Sequence, residues 1–435
     1  MKKAVLMIRS TWFLGTLFLP LIVMGQSSEA IKIAESPAFP IGICEPSIAI
    51  DPTDPSRMVA GAILNEFYFS ADSGRTWQDG ELSSSYGVWG DPCIIADDQG
   101  NFYYFHLSDP SGMNWSSSEI LDRIVVQKST DGGMTWSDGS FMGYAHPKDQ
   151  DKEWASFDPV TGRLFCTWTQ FDKYESKDPA DESNILFSSS LDRGETWTAP
   201  VAINQIPGNC LDDDGTVEGA VPAPDPYGNL HVAWALNDGI YFTSSPDGGI
   251  SWPDTNIYVA EQVGGWTMKV KGIQRCNGMP VTACDLSQGP YRGTIYICYS
   301  DKRNGETNSD VFLVRSLDGG KTWSKPIRVN DDETKTEQFF PWLAVDPVTG
   351  YLAVVFYDRR NHDDDLTTDV YLAWSKDAGQ TWVNEKINEG SFKPHPFVFF
   401  GDYNNIAIYN GVVRPIWTEL IEKKLSIWTS LYRIP

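Results

Sequence analysis

Carboxylates, arginines and tryptophans recur in this chain at one kind of place, just ahead of a short apolar run and beside glycine or proline. The segments are Cys44-Glu45-Pro46, Trp89-Gly90-Asp91-Pro92, Asp151-Lys152-Glu153-Trp154, Glu218-Gly219, Arg275-Cys276-Asn277, Gln338 to Trp342, and Gly401-Asp402-Tyr403. Two more, Asp301-Lys302-Arg303 and Asp358-Arg359-Arg360, follow apolar runs. Paired carboxylates suit general acid–base work and glycosidic bond cleavage. Indole faces suit sugar rings, and guanidinium forks grip carboxylates through two bonds. Each residue alone could equally cap backbone N–H groups. As a set, carboxylates facing one space repel unless cations or a ligand sit among them. The runs Asp212-Asp213-Asp214 and Asp363-Asp364-Asp365 are oxygen-rich enough for a structural calcium, or are simply solvated loops. The five histidines are scattered, so no His-based metal site or Ser-His-Asp triad is expected, and no cofactor.

The elements that would position these residues are marked by an internal repeat. Six segments read Ser-x-Asp-x-Gly-x-Thr/Ser-Trp, with aspartates at Asp72, Asp131, Asp192, Asp247, Asp318 and Asp377, spaced 59, 61, 55, 71 and 59 residues apart. The Asp accepts N–H bonds inside a turn, the Gly supplies positive φ, and the Trp buries its ring between sheets. The boxes are therefore structural. Around each box four strand-like runs recur, and four antiparallel strands repeated radially make a propeller blade. The fold class is all-β, a β-propeller.

Boxes number six, but inner strands number seven, starting near Glu45, Asp91, Glu153, Glu218, Met279, Phe340 and Asp402. After the last box, Ile406–Tyr409, Val412–Trp417 and Ser426–Tyr432 supply three strands. Ala30 to Glu35 resembles outer strands such as Val201 to Asn204 and is expected to supply the fourth. Seven blades closed by this N-terminal strand are predicted, six with an extension being the alternative. Loops between blades, and between second and third strands, should open on the face opposite the boxes.

Lys2 and Lys3 followed by the 13-residue apolar run Trp12–Met24 read as a secretory signal peptide cleaved near Gly25. The run is short of the roughly 20 residues that span a bilayer. Residues 26–435 are expected to form one secreted or periplasmic propeller domain, with no membrane anchor after cleavage. The net charge of −24 excludes nucleic acid and anionic membrane surfaces as partners. Oligomeric state is left open. Seven cysteines leave at least one unpaired within the chain, and Cys210–Cys276 is the pair expected if any forms.

Repeated boxes on an exported propeller resemble the sialidase (neuraminidase) superfamily, including secreted proteins grouped by BNR repeats. The resemblance implies a glycan or polysaccharide partner and sialidase-like glycoside hydrolysis of anionic glycans. On that layout Asp91 matches the acid/base, and Glu218 with Tyr403 the Tyr–Glu nucleophile pair. Arg275, Arg303, Arg359 and Arg360 would hold the sugar anion, with Glu45, Glu153, Trp89, Trp154, Trp342 and Asp402 completing the pocket. A polysaccharide lyase on the same scaffold, or a non-catalytic module binding glycan or protein, are the rivals.

Overall fold

A computed structural model describes Met1 and residues 29–364 and 366–435, and the expected export signal lies outside the described residues. Seven four-stranded antiparallel sheets carry almost all the regular structure. The described residues include one short 3-10 turn, Asn114–Ser116, and no α-helix. The inner strands are Ser47–Ile50, Cys93–Ala96, Asp149–Asp158, Glu218–Pro224, Val281–Cys284, Gln338–Val345 and Asn405–Tyr409. Adjacent inner strands touch all the way round the ring, the seventh against the first. This is the seven-bladed propeller.

The last blade is assembled from both ends of the described chain. Asn405–Tyr409, Val412–Ile421 and Lys424–Arg433 supply three strands, and Glu29–Pro37 pairs antiparallel with the third, from Glu29 opposite Leu431 to Pro37 opposite Lys424. The edge that an open last sheet would expose is thereby paired. The same closure explains six boxes on seven blades. A box is the turn joining third and fourth strands, and in the last blade those two strands are not consecutive in sequence.

The boxes share one geometry. In the fifth, Ser316 Oγ donates to Asp318 Oδ1 at 2.8 Å, and Thr322 Oγ1 donates to Asp318 Oδ2 at 2.6 Å. Gly320 N donates to Ser316 Oγ at 2.9 Å. Trp323 meets Phe242 of the preceding blade edge-on at 5.0 Å. Gly320 has φ +85°, and a Cβ there would overlap the Phe242 ring. Gly320→Ala therefore combines left-handed strain with overpacking and is expected to cost about 2–4 kcal/mol in denaturant unfolding.

All seven cysteines are buried and unbonded, so the Cys210–Cys276 disulfide is not formed. They serve as small apolar side chains.

Candidate active site

The inner strands begin with a backbone device that aims side chains at the channel mouth. Glu45, Asp91, Lys152 and Phe340 have φ of 53°, 53°, 54° and 50°, a left-handed conformation uncommon outside glycine. In blades 3 and 6 this residue sits in a β-bulge, between Asp151 and Trp154 and between Phe339 and Trp342. The bulge re-aims the chain locally, as bulges beside functional sites do. Three charged residues at equivalent starts thus converge.

Lys152 is the centre of the resulting network. Its Nζ lies 3.1 Å from Asp91 Oδ2 and 2.9 Å from Asp402 Oδ2, with the lysine side chain only 4% exposed. Arg275 donates from Nε to Asp402 Oδ1 at 2.9 Å, from one terminal nitrogen to Asp402 Oδ2, and from the other to Asp212 Oδ2 at 2.8 Å. Tyr174 O–H donates to the same Asp212 oxygen at 2.7 Å. Glu45 Oε1 accepts the Asp402 amide at 3.0 Å. Charges that the sequence brings to one mouth are therefore compensated by interleaving signs.

The electrostatics sort these carboxyls. Burial alone would raise Asp402, but Arg275 and Lys152 hold it below the ordinary carboxylate range. Burial opposes the charge on Lys152, yet Asp402 and Asp91 hold it above the ordinary lysine value. Burial, against the attraction of Lys152 and aided by repulsion from Asp91, pushes Asp151 up to about 7. Burial and Asp91 raise Glu45 as well.

Above this network lies a cavity of about 280 Å³ lined by Glu45, Asp91, Asp151, Lys152 and Arg275. Its aromatic wall is Trp89, Trp115 and Tyr174, with Trp115 edge-on to Trp89 at 6.4 Å and stacked on Tyr174 at 5.5 Å. Trp115 is 58% exposed, which leaves indole surface open to a ligand.

The other expected site residues are placed elsewhere. Trp154, Trp342 and Tyr403 are buried and packed together, with centroids 4.3 Å apart for Trp154–Trp342 and 4.9 Å for Trp154–Tyr403. They fill the channel and offer no face to a sugar. The Tyr–Glu pair is not formed. Tyr403 O–H reaches the Pro92 carbonyl at 3.5 Å, while both carboxyl oxygens of Glu218 have no hydrogen-bond partner. Glu153 is likewise buried and unpartnered. Nor do four arginines converge. Arg303 is held by Asp301 and lies over Phe312, and Arg360 is held by Asp358, Asp331 and Asp332. Arg359 is fully buried, donates to Thr368 Oγ1 and the Lys271 carbonyl, and borders a separate cavity. Only Arg275 of the four lines the mouth cavity. The acidic run 212–214 is dispersed onto Arg275, Asn209 and the Thr267 amide, which leaves no shared cage for calcium. Asp364 pairs with Lys393, and Asp365 is outside the described residues.

Asp151 and Lys152 belong to a segment the sequence points to but receive no role from it, Asp212 is singled out only as a calcium ligand, and Trp115 and Tyr174 are not singled out at all. Trp115 and Tyr174 sit in loops joining second to third strands of blades 2 and 3, the loop class expected on this face.

The orphaned glutamates give a stability prediction. Burial first, then Asp212 and Asp151, raise Glu218 well above 4.5, and burial with Asp91 does the same to Glu153. A raised folded value means the protonated form stabilises the fold fully below about pH 4.5, and that contribution is lost as pH rises toward the folded value. Glu218→Gln should remove this loss. Its unfolding free energy should gain on wild type by about 1.4 kcal/mol per pH unit through that window. Parallel pH curves for the two proteins would contradict it.

No family model matches the sequence. Among solved structures, the fold is similar to a polysaccharide lyase, an ulvan lyase bound to a glucuronate–sulfated rhamnose repeat, with TM-score 0.54 and 12% identity over 93% of this chain and 96% of that one. It is similar to Penicillium chrysogenum α-L-arabinanase complexed with arabinobiose, TM-score 0.50 and 18% identity, covering 80% and 98%. A Hadza microbial sialidase matches at TM-score 0.48 and 16% identity, covering 86% and 73%. These are likenesses of fold, a scaffold that hosts more than one chemistry.

Proposed function

We propose that this protein is an exported glycan-cleaving enzyme, a glycoside hydrolase whose site is the mouth cavity. Asp151 is the general acid and Asp91 its partner carboxylate. One observation carries the reading: two carboxyls in different electrostatic settings open on one aromatic-walled cavity, Asp151 raised to about 7 and Asp91 ion-paired to Lys152. Pairs of carboxyls whose environments differ are how acid and base roles are divided. Asp151 would give its proton to the glycosidic oxygen as the bond to the anomeric carbon breaks. Asp91 would supply negative charge to the developing oxocarbenium ion, and a water molecule would then add to the anomeric carbon and give its proton to the Asp151 carboxylate, which restores the acid. Trp89 and Trp115 would stack on the sugar. That proteins of similar fold are named as cleaving polysaccharides agrees with this reading.

The substrate we infer is a neutral glycan, in place of the anionic sugar expected from the arginines. Lys152 and Arg275 are already held by Asp91, Asp402 and Asp212, so neither is left over for a sugar carboxylate. A lyase reading has one observation in its favour, since Tyr174 and Arg275 meet at Asp212 on the cavity. Burial and then Asp151 raise the Tyr174 hydroxyl, which disfavours the phenolate a proton-abstracting base requires.

The test is a panel of neutral and uronate polysaccharides assayed for both reducing ends and ultraviolet-absorbing unsaturated products. Release of reducing ends without unsaturation supports hydrolysis, and unsaturated product overturns it in favour of the lyase. Binding with no turnover on any substrate would make the protein a binding module.

A further inference from the structure

The face that carries the boxes holds a second charged cavity, of about 500 Å³, at the seam where the last blade meets the first. Three arginines line it: Arg75 from the first box, Arg414 from the second strand of the last blade, and Arg433 from its third. Elsewhere on this acidic molecule arginines commonly sit against carboxylates, as Arg123 does on Asp122 and Arg193 on Asp97. These three do not. Among the described residues, each guanidinium donates only to backbone carbonyls. Arg414 donates twice to Ser73, and also to Val413 and Tyr432. Arg75 donates to Asp72, and Arg433 to Asn410. Glu29 also lines the cavity but forms no ion pair with them among the described residues.

Arg414 is 6% exposed, and its carbonyl bonds tie the last blade to the first box. Carbonyls satisfy its N–H groups without neutralising its charge. A buried cation with no counter-ion is costly, and like charges around one space repel. Burial first, then the like charges of Arg75 and Arg433, push Arg414 down to about 10. Guanidiniums converging on an open space match an oxyanion, which accepts several charge-assisted bonds at once.

We propose that this cavity is an oxyanion site that takes a sulfate or phosphate group, with Arg414 as its fixed member and the exposed Arg75 and Arg433 as its adjustable ones. It stands on the opposite face from the mouth cavity and is independent of the reaction proposed there. The group is either a free inorganic ion or an ester carried on a polysaccharide.

The experiment is calorimetric titration of the protein with inorganic sulfate, inorganic phosphate and dextran sulfate, at ionic strength held constant with chloride. Saturable binding of one oxyanion per chain is expected. In Arg75→Gln/Arg433→Gln, which leaves the Arg414 clamp in place, affinity should weaken about tenfold or more, each lost charge-assisted bond being worth roughly that factor. Arg75→Lys/Arg433→Lys, which keeps the charges, should retain most of the affinity. Displacement of dextran sulfate by inorganic sulfate supports an ester ligand, and binding of inorganic ions alone supports a free one. Absence of saturable binding by all three probes, or unchanged affinity in the glutamine variant, overturns the proposal.

Discussion

Replacing Lys152 by methionine is expected to destabilise the protein by about 3–5 kcal/mol, the cost of removing one partner from a buried ion pair. The lysine is 4% exposed and bridges Asp91 and Asp402, which is fully buried. Without it, Asp402 keeps Arg275, but Asp91 faces Glu45, Glu153 and Asp402 with no cation of its own. Like charges in so dry a place favour unfolding or proton uptake. A loss of packing from a smaller side chain would not be relieved by removing the partner charge, whereas a broken ion pair would be. Lys152→Met combined with Asp91→Asn removes both members of a pair, so the double variant should recover a large part of the loss. Denaturant unfolding of the wild type, both single variants and the double variant measures this. Additive losses would show that Lys152 is not the keystone of the mouth.

Asp151→Asn is expected to lower kcat by about 10²–10⁴, the range for losing a general acid, with little change in KM. Asparagine keeps the shape and the hydrogen bond from the Lys152 amide but has no proton to give. The wild-type rate should fall as pH rises through about 7, where Asp151 loses its proton, and the variant's residual rate should lack that limb. Substrates with good leaving groups need less protonation and should suffer least. A variant with wild-type turnover, or one that keeps the limb near pH 7, would remove Asp151 from the role.

The propeller was legible in the sequence because its signals are local. Ser70, Asp72, Gly74 and Thr76 satisfy one another within a single turn, so the box declares itself without knowledge of the rest. The closing strand Glu29–Pro37 was legible by its likeness to other outer strands. The mouth was legible in part. Glu45, Asp91, Arg275 and Asp402 sit where inner strands begin, and topology alone brings such positions together. The rest depends on one-residue detail. A strand alternates its faces, so a bulge that inserts a residue decides which neighbour reaches the cavity. Lys152 reaches it, while Glu153 and Trp154 are turned into the channel. Glu218 and Trp342, each at a bulge, share that fate, for spacing carries no signal of the bulge. Trp115 and Tyr174 come from loops whose course is set by long-range contacts such as the Tyr174–Asp212 bond, which nothing local announces. The arginines misled for a related reason. Arg303 and Arg360 lie two residues from Asp301 and Asp358 and fold back on them.

Cleavage in the mouth cavity, on the face away from the boxes, requires a glycan to bind there, and a crystal structure of Asp151→Asn soaked with an oligosaccharide substrate would show where it binds. The expected result is a sugar ring against Trp89 and Trp115, with a glycosidic oxygen within hydrogen-bond reach of residue 151 and the anomeric carbon beside Asp91. Density for the sugar on the box face or an outer blade edge, with the mouth cavity empty, would contradict it.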